Sequence, residues 1–147
     1  MAFRHILVPL DFDETSDLAL KTAIDLAADL KASITLLHTI EVSSYAYANF
    51  GAALPPPDLL SALETAARRS LDQKLEAVRK VEPSATAILT TGVVWRQVLA
   101  AITDRRADLV VMGTHGRGGL EHMLLGSVAE KIVRSSPVPV LTVPPPR

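Results

Sequence analysis

With 147 residues, 48% of them hydrophobic and 21% charged, the chain has the composition of a globular protein, and its length is enough for one domain that buries about 70% of its unfolded surface. No window approaches the run of about 20 apolar residues that a membrane span needs, and the absence of cysteine excludes disulfides, thiolate metal sites and cysteine nucleophiles. Fifteen Lys and Arg against sixteen Asp and Glu leave a net charge of −1 and no basic stripe of the kind that tracks nucleic acid.

The opening "MAFRHILVPLDF" has one Arg before a short apolar run and no small-residue cleavage pattern, so a soluble, cytoplasmic protein without a secretory signal is expected. Within it, "HILVPL" (5–10) reads as a strand buried on both faces. A helix follows, with Thr15 or Ser16 expected as its cap. Asp17, Lys21, Asp25 and Asp29 recur along one stripe of that helix, and Leu20, Ile24, Ala27 and Leu30 line another. "SITLLHT" (33–39) returns to strand composition. The connection "EVSSYAYANFGAALPPP" (41–57) is long for a compact domain and carries both tyrosines. Two readings of it stand side by side, a lid or partner surface and a mobile excursion with a few buried aromatics.

Residues 58–80 form a second amphipathic pattern with Leu60, Leu63, Ala67, Leu71, Leu75 and Val78 on its apolar side. "TAILTT" (86–91) is a third strand, "VWRQVLAAITDRR" (94–106) a helix, "DLVVMG" (108–113) a fourth strand and "SVAEKIVRS" (127–135) a helix. "VPVLTV" (138–143) closes the pattern before Pro144, Pro145 and Pro146, and its internal Pro139 marks it as an edge strand. The pairs Arg68-Arg69 and Arg105-Arg106 read as solvated helix faces. The order βαβαβαβαβ predicts an α/β fold, a five-stranded, mostly parallel open sheet with helices on both faces.

Five of the seven glycines fall in "GTHGRGGLEHMLLGS" (113–127), directly after the fourth strand. Ligands of open parallel sheets bind beyond the carboxyl ends of the strands. Glycine lets backbone amides approach an anion closely, and the segment leads into a helix N-terminus that attracts phosphate. The segment therefore predicts a phosphate cradle. It is not a Walker loop, because Gly119 stands after Gly118 where lysine is required, and a dinucleotide fingerprint starting at Gly116 fails at Glu121. Ser127 and Glu130 also spell an S-x-x-E capping box, a structural use of the same hydroxyl. His115 reads either as a phosphate donor or as a solvent-facing loop residue, and Arg117 as solvated. His5 and His38, in strands, are expected to be packed or bonded to backbone. His115 and His122 lack the spacing of a helical metal pair, and no protein-built metal site is expected.

Gly113-xx-Gly116 followed by Gly126-Ser127, together with "ILVPLDF", "TLLH", the Gly92 turn, "ADLVVMGTHGRGGL", "LLGSVAEKIVR" and "PVPVLTV", resembles the universal stress protein family in its ATP-binding branch. The likeness covers essentially the whole chain. It implies a Rossmann-like sheet of the adenine nucleotide alpha hydrolase-like type, forming a single domain over 1–147. It also implies ATP at the carboxyl edge, where any Mg²⁺ would arrive with the nucleotide, and a homodimer joined through the final strands. By the same resemblance Asp11 accepts from ribose hydroxyls, although a second reading makes it the cap of the following turn. Pro9 shapes the strand end, and Thr39 contacts adenine through its backbone. Met112 and Gly113 close the base and ribose side, while His115, Gly116, Gly126, Ser127, Val128 and Ala129 surround the phosphates. Leu10 and Ala129 stand where ATP-binding members often carry Thr and a hydroxyl residue, which implies a weakened phosphate contact at Ala129. Three functions follow: an ATP-binding sensor or signalling module with slow or no hydrolysis, a nucleotide-hydrolysing or adenylate-forming enzyme using Asp11, His115 and metal, and an ATP-independent stress protein acting through protein contacts.

Overall fold

Every strand but the last is followed by a helix, and the alternation sets the architecture. The computed structural model describes residues 2–41, 51, 56–115 and 125–146. In chain order these form β1 (His5–Leu10), α1 (Glu14–Leu30), β2 (Ser33–Ile40), α2 (Pro57–Arg79), β3 (Thr86–Thr91), α3 (Val94–Asp104), β4 (Leu109–Gly113), α4 (Ser127–Ser135) and β5 (Val140–Val143). All strand pairs are parallel, in the order β3-β2-β1-β4-β5. The winding direction therefore reverses between β1 and β4, which is the switch point of the sheet.

Side chains alternate across the sheet and build two cores. Ile6, Val8 and Leu10 of β1, with Ile34, Leu36, Leu109 and Val111, pack under α1 and α2 against Ala19, Leu20, Ala23, Leu71 and Val78. Leu7, Leu37, Val110 and Met112 face α3 and α4, against Val98, Ala101, Ile102, Ala129 and Ile132. Because β1 is covered on both sides, its sequence reads as a continuous apolar run.

Backbone direction along β1 opens the switch point. The His5 carbonyl accepts from the Asp108 amide at 3.0 Å, and the Arg4 carbonyl accepts from the Ser33 amide at 2.9 Å. Odd-numbered residues of β1 thus address β4 and even-numbered residues address β2. Pro9 is odd and has no N–H to give. Pairing of β1 with β4 is registered at Ile6–Leu109 and Leu7–Val110, whereas pairing with β2 continues to Leu10–His38. A proline in a central strand is unusual, and here it ends the ladder on the side where the sheet changes direction.

Three expectations about helix ends are corrected. The cap of α1 is Asp13, not Thr15 or Ser16, and its carboxylate accepts from the Ser16 amide at 2.8 Å. Ser16 lies one turn inside the helix, buried, and its hydroxyl accepts instead from the Asp11 amide at 3.1 Å. The helix read as 94–106 stops at Asp104, because Arg106 takes a left-handed φ of 55°. The Arg105-Arg106 pair is accordingly exposed beyond the helix and not on its face. At the other end of the sheet, β5 lies at an edge as its proline requires. Pro139 precedes β5 and contributes only its carbonyl, which accepts from Val110 N–H at 3.0 Å.

At the amino edge, polar groups cross three strands. Thr86 and Thr35 hydroxyls lie 3.0 Å apart, Thr35 is 2.7 Å from His5 Nε2, and the ring also meets the Arg105 backbone. The Thr35 hydroxyl can bond Nε2 in either tautomer of the ring. Burial lowers the His5 pKa below the ordinary 6.5, outweighing the nearby Asp108. The unfolded chain then takes up the proton first as pH falls. The His5 contribution to stability is full above pH 6.5 and is lost as pH drops through the lowered folded value. Urea unfolding at about pH 7.5 and about pH 5, on either side of 6.5, should show this loss, and His5→Gln should reduce the difference.

Candidate functional site

The carboxyl ends of β1 and β4 meet the start of α4 at the switch point, and each contributes a fixed piece of backbone. At the end of β1 the Asp11 amide donates to Ser16, and Asp11 Oδ1 accepts from the Asp13 amide at 3.1 Å. The turn-capping reading of Asp11 is therefore realised. Phe12 follows in the left-handed region at φ 67°, a conformation that disfavours a bulky L residue. Its ring lies 4.2 Å from that of His38. His38 Nδ1 in turn donates to the Leu10 carbonyl at 2.7 Å, as a strand histidine bonded to backbone should. Nothing in the composition of this stretch signals the strained Phe12, and it was not among the candidate residues.

Strand parity sorts the remaining residues. The Leu10 side chain is buried in the α1/α2 layer, and its carbonyl is held by His38. Pro9 and Thr39 share parity with Leu7 and Leu37 and so lie on the α3/α4 face with Met112. Thr39 is buried, with its hydroxyl 3.0 Å from that of Thr90. Beside it the Gly92 amide donates to the Ile40 carbonyl at 3.0 Å. The structure thus brings Pro9, Thr39 and Met112 to one face near the carboxyl edge.

Gly113 has a packing reason of its own. A Cβ built there would lie 2.7 Å from the Thr15 methyl and 3.4 Å from the Thr15 backbone carbon. The first turn of α1 therefore rests directly on the end of β4.

Beyond β4, Thr114 is buried and bonds in both directions. Its amide donates to the Val143 carbonyl at 3.1 Å, and its carbonyl accepts from the Gly126 amide at 2.7 Å. This second bond clips the start of α4 to the end of β4. The capping box read from Ser127 and Glu130 does not form. Gly126 is the N-cap, which places Ser127 at the first helical position and Glu130 at the fourth, one too far to reach back. Glu130 pairs instead with Arg134. The amides of Ser127, Val128 and Ala129 consequently have no acceptor among the described residues, although helix N-termini need one. Next to Thr114, His115 Nδ1 lies 3.0 Å from the Thr114 hydroxyl, while Nε2 is buried without a partner among the described residues. Gly116, Arg117, Glu121 and His122 lie outside the described residues, as does most of the 41–57 connection. Among the described residues no cluster of three or more His, Asp or Glu could hold a metal ion.

The arrangement is that of an open α/β protein in which a proline-ended strand and the start of α4 meet at the switch point of the sheet. A sequence model of the Universal stress protein family matches residues 2–144, and the chain belongs to that family. It is 32% identical over 143 residues to Universal stress protein A homolog 1 of Coxiella burnetii, covering 97% of each chain. Its fold superposes on the hypothetical protein MJ0577 of Methanocaldococcus jannaschii with a TM-score of 0.85 and 26% identity, covering 100% of this chain and 99% of that one. A universal stress protein solved in complex with cAMP has the same fold, with a TM-score of 0.67 and 22% identity over 97% of this chain and 98% of that one.

The contact between Gly113 and Thr15 makes a direct prediction. Gly113→Ala should destabilise the protein by about 1–3 kcal/mol through overpacking. Thr15→Ser, which removes the offending methyl, should recover most of that loss in the double variant, as read by urea unfolding.

Proposed function

We propose that this protein binds an adenine nucleotide, ATP with Mg²⁺ arriving alongside it, in the crevice between β1 and β4. The observation that carries the reading is the set of amides at Ser127, Val128 and Ala129 that have no acceptor among the described residues, together with the buried Nε2 of His115, which has no partner among them either. Backbone donors at a helix N-terminus favour anionic oxygens through both hydrogen bonding and the helix dipole. Ala129 has no hydroxyl, but its amide is available for the same purpose. Gly126 acts as a clip rather than a donor, since its own N–H is held by Thr114, and Gly116 completes the phosphate side as the sequence pattern implies.

On the nucleoside side, Asp11 accepts from the ribose hydroxyls, while the Leu10 backbone, Pro9, Thr39, Met112 and Gly113 shape the walls around base and sugar. The cAMP complex of a protein with this fold supports the adenine nucleotide as the ligand class. The glycine segment has no Walker-type lysine, Gly119 standing in its place, so the proposed site holds ATP and turns it over slowly or not at all. The protein is then a cytoplasmic stress-response sensor or signalling module, formed by a single domain over 1–147. A second copy pairs through the β5 edge, where Leu141 is exposed.

Calorimetry should show binding of ATP, and mass spectrometry should recover it intact. Asp11→Ala should weaken binding by about tenfold, the loss of a hydrogen bond to a charged group. Unchanged affinity in that variant would remove Asp11 from the site, and no binding by the unaltered protein would reject the function. Sedimentation across micromolar concentrations should give a dimer, and a monomer throughout would reject the β5 pairing.

A further inference from the structure

Asp11 directly follows β1, and one side chain from the neighbouring strand grips the residues on either side of it. His38 stands opposite Leu10 in the final registered pair of β1 and β2. Its Nδ1 lies 2.7 Å from the Leu10 carbonyl oxygen. A carbonyl can only accept, so Nδ1 carries a proton. The imidazole ring also lies 4.2 Å from the ring of Phe12, tilted by 31°. The carbonyl before Asp11 and the side chain after it are therefore both held by one histidine. A phenyl group in its place would stack without donating, and a carboxamide would donate without stacking.

Both contacts act on a turn that needs restraint. Phe12 holds φ at 67°, a region that a bulky L residue occupies only when its surroundings impose it. Part of those surroundings is open space. Phe12 and His38 form one wall of a cavity of about 210 Å³, and Ala66, Ala67 and Ser70 of α2 form the other. On that side no packed neighbour confines the Phe12 ring, so its stack on His38 carries more of the restraint. The bonds from the Asp11 amide to Ser16 and from the Asp13 amide to Asp11 Oδ1 tie the turn to α1. His38 ties the same turn to β2, which sets Asp11 relative to the sheet as well as to the helix.

We propose that His38 is a positioning residue for the nucleotide site, fixing through Leu10 and Phe12 the turn that presents the Asp11 carboxylate. This rests on the nucleotide reading above, in which Asp11 accepts from the ribose hydroxyls. His38 shares strand parity with Ile34 and Leu36, which face α1 and α2, whereas Met112 lies in the opposite layer. It therefore acts through Asp11 and not by touching the ligand.

The test is a double-mutant cycle on ATP affinity, measured by calorimetry, with urea unfolding of every variant alongside. His38→Ala should weaken ATP binding by about fivefold, the size of a neutral hydrogen bond. In an Asp11→Ala background the same substitution should change affinity by less than about twofold, because the group it positions is gone. His38→Asn keeps a donor and His38→Phe keeps a ring, so each should recover part of the loss, and the cycle is read on these two variants where His38→Ala does not fold. A loss of the same size with and without the Asp11 carboxylate overturns the inference and leaves the nucleotide site standing, as does wild-type affinity in all three His38 variants. Absence of ATP binding by the wild-type protein overturns both.

Discussion

A strand at the centre of a parallel sheet can pair along its full length on both sides unless one residue withholds its donor, and Pro9 does so toward β4. The consequence is local, since β1 stays registered with β2 as far as Leu10–His38 while its pairing with β4 is registered only at Ile6 and Leu7. Because winding also reverses between β1 and β4, the gap falls where no crossover helix has to cover it. The β1–β4 ladder thus ends early through a missing hydrogen bond, at a position where the topology tolerates one.

What surrounds the gap is held firmly on both sides. On the β1 side, Asp11 is fixed through Ser16 and Asp13, and the left-handed Phe12 is held by stacking on a histidine that is itself bonded to Leu10. A non-glycine residue at positive φ is a strained state, and it persists only when its surroundings overdetermine it. On the β4 side, Thr114 joins β5, the end of β4 and the start of α4 through its two backbone bonds. Gly113 allows α1 to close down between the two sides.

Much of this was legible in the residue order. Apolar runs of strand length alternated with amphipathic segments, and in a parallel α/β sheet that alternation leaves few topologies to choose from. Pro139 correctly marked the edge, because a missing N–H cannot sit in a ladder bonded on both sides. Pro9 shows the limit of the same rule: it lies in a central strand, which is tolerated only because its bare nitrogen faces the opening. The capping box was misread because S-x-x-E requires the serine to be the residue just outside the helix, and Gly126 took that place through its bond to Thr114. The cap of α1 was misplaced by two or three positions for a related reason, since Asp13, Thr15 and Ser16 are all good caps and only the path of the chain from β1 selects among them.

The sequence by itself determined the fold class, the strand and helix order, the position of the glycine-bearing segment beyond the fourth strand and the family, because these depend on periodicity and spacing along one dimension. Tertiary structure decided which polar groups are left without partners. Among the described residues, the α4 amides without acceptors and the unpartnered His115 Nε2 are defined by what does not reach them, and that depends on packing between segments far apart in the chain.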